Sequence, residues 1–160
     1  NFDLFDRGLV PMRSPYASQA VKPTVEALEL ERLIGHIRQN ASPGERILDL
    51  SASPLLYVLS DRLSVGEFDI FMPGTFLDDA EEARFVERLK ATPPAVVVWP
   101  GWAFDSAPER AVQRTAPRVS RWVRNHYEPL ERKTRRNRFI LLVPLEETTG
   151  ESAEAADLPR

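Results

Sequence analysis

Apolar residues recur along this chain in two rhythms, and the alternation between them lays out an α/β domain. Leu28, Leu30, Leu33, Ile34 and Ile37 form an apolar stripe, and Thr24 stands where it can cap a helix from Val25 to about Gln39. Gly35 weakens that helix without stopping it; Asn40-Ala41-Ser42-Pro43-Gly44 does stop it. Arg46 to Leu50 is short and mostly apolar, the pattern of a parallel strand covered on both faces. Leu55–Leu59 starts a short helix. Val65, Phe68, Ile70 and Met72 fall among polar Glu67 and Asp69, which predicts a second strand near Glu67–Phe71, ended by Pro73-Gly74.

Asp78 and Glu81 have the spacing of a capping box, with Asp79 and Glu82 in the first turn and Arg88 and Lys90 near the end. That helix buries Phe85, Val86 and Leu89. Pro93-Pro94 breaks it and feeds Ala95–Trp99, the most strand-like run in the chain. Ser106 with Glu109 opens a turn of helix, and Pro117 marks a fresh start near Thr115. Val119, Trp122, Val123 and either His126 or Tyr127 continue at helical spacing. Leu130–Thr134 and Phe139–Val143 read as two strands joined through Arg135-Arg136-Asn137 as an antiparallel hairpin. The expected fold is therefore α/β, a three-layer Rossmann-like domain with a mostly parallel sheet and a C-terminal antiparallel hairpin. It occupies residues 23–146. An extended lead-in covers 1–22, and 147–160 form an acidic tail expected to be disordered.

Composition narrows the chemistry. A chain of 160 residues is one domain, large enough to bury a core without metal or disulfides. It has no cysteine, which removes disulfide frameworks, cysteine zinc clusters and thiol nucleophiles. Its longest apolar runs are far below the ~20 residues that span a bilayer. Asn1 is not an initiator methionine and no basic-then-apolar leader follows, so a longer parent protein is expected. Net charge is −3, but residues 110–138 hold ten of the 21 Lys and Arg against only Glu128 and Glu131.

In open α/β sheets ligands sit beyond the carboxyl ends of the strands. The candidate crevice there comprises Ser51, Ser53, Gly74 and Trp102. Ile47-Leu48-Asp49-Leu50 looks like the opening of a methyltransferase signature, but Ser51-Ala52-Ser53 stand where glycines would let backbone amides approach a ligand, and Pro54 lacks an N–H. His36 and His126 have no metal-ligand spacing around them. Asp49, Asp61, Asp69, Asp78, Asp79 and Asp105 lie near strand ends without forming a recognisable acid pair. Ser51, Ser53 and Ser60 lack a nucleophile elbow. Arg114, Arg118, Arg121 and Arg124 recur at helical spacing after Arg110, and the hairpin turn adds Arg135 and Arg136. Arginine favours planar oxyanions, so an anionic surface is the natural partner of this face, weighed against a plain solvated helix. Aromatics are not interleaved with these bases apart from Trp122, and no nucleic acid is expected.

The segments Pro43–Leu48, Pro54–Arg62, Phe71–Thr75, Leu89–Val98 and Val123–Pro129 together carry a resemblance. Over about residues 25–145 the chain is similar to the soluble C-terminal domain of polytopic membrane glycosyltransferases of the dolichyl-phosphate-mannose-protein mannosyltransferase and aminoarabinose transferase type. The resemblance implies a membrane-attached, extracytoplasmic accessory domain of an enzyme that uses a polyprenyl-phosphate sugar donor. It implies that catalytic and metal-binding residues lie in an upstream transmembrane domain, so this fragment has no catalytic residue, no metal ligand and no cofactor of its own. The arginine face would then meet anionic lipid headgroups, a lipid-linked phosphate or the transmembrane domain, with about 1 kcal/mol per Lys or Arg near an anionic bilayer. Two other readings stand beside it. One is a small Rossmann-like enzyme binding a nucleotide or S-adenosylmethionine at Ser51–Pro54 and Pro100–Trp102. The other is a soluble binding module that uses the arginine face.

Overall fold

The computed structural model describes residues 10–11, 20–21, 25–101, 107–131 and 138–146. The whole 147–160 tail and nearly all of the expected lead-in lie outside these, the lead-in apart from a small antiparallel ladder of β1 (Val10–Pro11) and β2 (Ala20–Val21).

Helix α1 runs Val25–Asn40, as its apolar spacing predicts. Its end is closed by Asn40, whose side chain donates to His36 O, and by a turn in which Gly44 has φ +83°. Strand β3 (Arg46–Asp49) follows, then α2 (Leu55–Ser60), with Asp61 in the left-handed region as its C-cap. Strand β4 is only Leu63–Ser64. Helix α3 spans Asp79–Ala91, with Asp78 accepting from Glu81 N and the Glu81 carboxylate accepting from Leu77 N, one residue before the box position. Strand β5 is Val96–Pro100. A 3-10 turn at Pro108–Arg110 leads into α4 (Val112–Thr115), α5 (Pro117–His126), β6 (Tyr127–Pro129) and β7 (Phe139–Pro144).

The main sheet has the order β4-β3-β5-β7-β6. Strand β3 is parallel to both β4 and β5, whereas β7 is antiparallel to β5 and to β6. The fold is thus α/β around a five-stranded mixed sheet, parallel through β4, β3 and β5 and antiparallel toward the β6 edge. Alternation along the strands divides the apolar residues into two clusters. Ile47, Val96, Val98 and Leu141 pack with Ile34 and Ile37 of α1 and Leu56 and Tyr57 of α2. Leu48, Val97, Ile140 and Leu142 pack with Phe85 and Leu89 of α3 and Val119 and Val123 of α5. The β3–α2–β4 and β4–α3–β5 crossovers run in opposite directions along the sheet. With the usual right-handed connection, their helices fall on opposite sides, in accord with the two clusters.

Two expected strands are displaced. The second strand is not at Glu67–Phe71: β4 ends at Ser64, and Gly66 (φ +82°) and Glu67 (φ 74°) turn the backbone out of the sheet. Of the residues whose recurrence predicts a strand there, Ile70 and Met72 are exposed and Phe68 joins an aromatic cluster, in which every pair among Phe68, Phe71, Phe76 and Phe85 has ring centroids 5.2–6.2 Å apart. The hairpin partner of β7 is Tyr127–Pro129 instead of Leu130–Thr134, with Tyr127 opposite Pro144 and Pro129 opposite Leu142. Tyr127 leaves the helix with extended dihedrals, and its hydroxyl donates to Pro94 O at 2.7 Å beside the start of β5. Leu130 adds one further bond, from its N–H to Leu141 O, before residues 132–137, which lie outside the described set.

Candidate functional site

The β4-β3-β5 order places the carboxyl ends of β3 and β5 side by side where the crossovers diverge, the position at which open α/β sheets take ligands. The last residue of β3 fills that position with its own carboxylate. Asp49, the last residue of β3, is 0 % exposed. Its Oδ1 accepts from Ser51 N at 2.8 Å and from Ser51 Oγ at 2.5 Å, and its Oδ2 accepts from Ser53 N at 2.8 Å. Ala52, between them, takes φ 57°, a left-handed conformation that lets the loop close around the carboxylate. Tyr57 of α2 accepts from Asp49 N at 3.1 Å, and Leu56 N takes Ser53 O. Burial pushes the Asp49 carboxyl above its ordinary value, opposed by the Ser51 and Ser53 hydrogen bonds, and burial pushes the Tyr57 hydroxyl up to about 12. The amides of Ser51 and Ser53, which in a phosphate-binding loop would face a ligand, donate inward.

Ser51 and Ser53 are half-buried on this crest. Gly74 lies in the exposed Met72–Thr75 turn with φ +88°, and no hydrogen bond joins it to the crest serines among the described residues. Trp102, the fourth residue of the expected crevice, lies outside the described residues.

The arginine face is partly assembled. Arg118, Arg121 and Arg124 project from α5 on one exposed arc, opposite buried Val119, Trp122 and Val123. Arg114 belongs to α4, and Ala116 (φ −142°, ψ 67°) breaks the helix between them, so the bases do not form one continuous ladder. Arg118 pairs with Asp79 of α3 at 3.1 Å. Arg114, Arg121 and Arg124 form no ion pair among the described residues. Arg135 and Arg136 lie outside the described residues.

What holds α5 in place is a residue that sequence reasoning placed only among first-turn acids. Glu82 of α3 is 3 % exposed, and its Oε1 accepts from Arg118 N at 2.7 Å and Val119 N at 3.0 Å. A carboxylate on one helix thus caps the amino end of another, whose first residue, Pro117, has no N–H to satisfy. The signal was present: Glu82 precedes Phe85, Val86 and Leu89 by three, four and seven positions, on the inward face. The buried Arg62 guanidinium acts at the other helix ends, donating to Ala41 O beyond α1 and to Ser60 O and Asp61 O at the end of α2.

Of the two histidines, His126 stacks on Trp122 with ring centroids 5.0 Å apart, and its Nδ1 lies 2.7 Å from Trp122 O. His36 lies beside Arg32 and Glu131. Among the described residues no cluster of three or more acids or histidines could hold a metal ion, and no helix is long and apolar enough to cross a membrane. Against family models, curated proteins and solved structures, the chain finds no match.

Proposed function

We propose that this chain is a non-catalytic accessory domain that presents the arginine face of α4 and α5 to an anionic surface. The observation that carries the reading is the Asp49 carboxylate, which occupies the Ser51 and Ser53 amides at the strand ends. A loop whose donors are already taken by a buried carboxylate offers little to a nucleotide phosphate or a methyl donor. Three exposed arginines without ion-pair partners among the described residues offer a planar, charged face at another place. We read the architecture as a three-layer, Rossmann-like scaffold in which the ligand-binding crest has been closed.

The narrower proposal follows the sequence resemblance. In it the domain is extracytoplasmic, is attached to an upstream transmembrane glycosyltransferase that uses a polyprenyl-phosphate sugar donor, and braces or orients that part while its arginines meet lipid headgroups or the lipid-linked phosphate. Sedimentation with anionic and neutral liposomes at two salt concentrations tests the surface. Binding only to anionic vesicles, weakened by salt and by the double substitution Arg121→Glu with Arg124→Glu, is expected. Equal binding of the double variant would remove the arginine face from the proposal. A saturable thermal shift with a nucleotide or S-adenosylmethionine would instead favour the small-enzyme reading. Translation of the coding sequence upstream of Asn1 tests the attachment, because the narrower proposal requires membrane-spanning segments there.

A further inference from the structure

A groove of about 70 Å³ runs between α1 and the β6–β7 end of the sheet, away from both the Asp49 loop and the α5 arginines. Arg32, Leu33 and His36 line it from α1, and Leu130, Glu131 and Phe139 from across the gap. Arg32 Nη2 donates to both oxygens of Glu131, at 2.7 and 2.6 Å. His36 Nε2 stands 3.5 Å from Glu131 Oε1, and Arg32 Nε donates to the same imidazole nitrogen at 3.3 Å. The guanidinium holds this carboxylate beside apolar side chains, the chemistry of an oxyanion site, and His36 Nε2, as the acceptor of Arg32 Nε–H, orients the guanidinium. Here the chain itself supplies the oxyanion. The Arg32 and Glu131 side chains remain 64 % and 43 % exposed, so water and solutes reach the pair, and a pair this exposed holds weakly. Arg138, whose guanidinium lies 5.6 Å over the ring of the lining Phe139, adds positive potential. Glu29 also lines the groove and opposes that potential.

We propose that this groove binds an amphiphilic oxyanion, a carboxylate or phosphate monoester carried on a short apolar chain. The head displaces Glu131 from Arg32, and the apolar chain lies against Leu33, Leu130 and Phe139. Glu131 is then a resident competitor that keeps the site closed until such a ligand arrives. The inference is independent of the accessory-domain reading, since none of the α5 arginines lines the groove.

Two-dimensional amide NMR of the whole chain tests it, with hexyl phosphate free in solution and phosphatidic acid in vesicles as separate titrants. Shifts centred on Arg32, His36, Leu130, Glu131 and Phe139 with either titrant support the proposal, and the effective titrant identifies whether the source is soluble or a lipid. Inorganic phosphate and hexanol, each supplying half of the chemistry, are expected to bind at least about tenfold more weakly than hexyl phosphate. Glu131→Gln should tighten binding several-fold by removing the competitor. Arg32→Gln should weaken it about tenfold or more, and Arg32→Lys should restore only part, because an ammonium lacks the Nε–H that fixes the guanidinium against His36. Circular dichroism checks that each variant is folded. No groove shifts with either titrant in wild type and Glu131→Gln, shifts centred on α5, or affinities indifferent to Arg32 and Glu131 would each overturn the proposal.

Discussion

Glu82 gives the sharpest test of how this domain is held together. Its single oxygen Oε1 accepts from two amides at the start of α5, of which Val119 N is buried and Arg118 N partly so. Replacing Glu82 with alanine leaves both donors without an acceptor. An orphaned buried donor costs about 1–3 kcal/mol, and the more solvated Arg118 amide can recruit water, so the expected loss is about 2–4 kcal/mol. The glutamine variant keeps an oxygen in the same place and forfeits only the interaction of the carboxylate charge with the helix dipole, about 0.3–1 kcal/mol in exposed settings and up to about 2 when partly buried. Glu87, exposed on the same helix and paired with Lys90, is the control, with an expected change within about 0.5 kcal/mol. Urea unfolding followed by circular dichroism reads all three, and each kcal/mol should appear as about 2–4 °C in Tm at this chain length. An alanine variant within about 0.5 kcal/mol of wild type, or a glutamine variant as damaged as alanine, would refute the assignment of Glu82 as the cap of α5.

Three further outcomes can be checked together. Because burial raises the Asp49 carboxyl above its ordinary 3.8, the folded state holds a proton that the unfolded chain has released, so this group's contribution falls as pH rises from that value through the folded one. Urea midpoints of wild type should therefore decline across that acid window relative to Asp49→Asn, and parallel curves would contradict the burial argument. Ser120 Oγ is fully buried with no hydrogen-bond partner among the described residues, so Ser120→Ala should be neutral or stabilising by up to about 1 kcal/mol in the same assay; a clear loss would reveal a partner for that hydroxyl. Arg62→Met should cost about 2–3 kcal/mol and speed amide exchange in α1 and α2, because the carbonyls of Ala41, Ser60 and Asp61 lose a charge-assisted donor. Faster exchange confined to α3 and α5 would contradict the role given to this guanidinium.

The parts of the fold that were legible in sequence are those in which one periodic face meets one core. Helix α1 announced itself through Leu33, Ile34 and Ile37, all buried, and α3 through Phe85, Val86 and Leu89 with Asp78 as cap. The buried runs of β3 and β5 were equally plain. Misreadings arose where a local pattern had two physical causes. Phe68, Ile70 and Met72 recur as in a strand, yet Phe68 is placed by ring packing with Phe71, Phe76 and Phe85 while Ile70 and Met72 are exposed, and a two-residue strand such as Leu63–Ser64 has no period to read. Tyr127 fits the helical spacing of α5 equally well, and what draws it into the sheet, its pairing opposite Pro144 and the reach of its hydroxyl to Pro94, comes from distant segments. At the site, the lack of glycine after β3 was visible, but closure of the loop was not, since it depends on Ala52 taking a left-handed conformation. Three members of the arginine repeat, Arg118, Arg121 and Arg124, fall on one exposed face of α5, and Pro117 marked the restart that detaches Arg114. Glu82 and the groove at Arg32 and Glu131 join segments 36 to 99 positions apart, which no short-range spacing encodes.

The strand order also governs how the domain is made. Strand β7 lies between β5 and β6, yet it leaves the ribosome after both, so neither neighbour has its partner until about residue 144 has emerged. Until then β5, with its Val96–Trp99 run, is a bare margin on the growing chain, open to pairing with the wrong molecule. A ribosome pause while Phe139–Pro144 is still enclosed would hold that margin open, while one after it has emerged would let the sheet shut. The pace at which this stretch is synthesised thus bears on yield alongside the contacts of the finished structure.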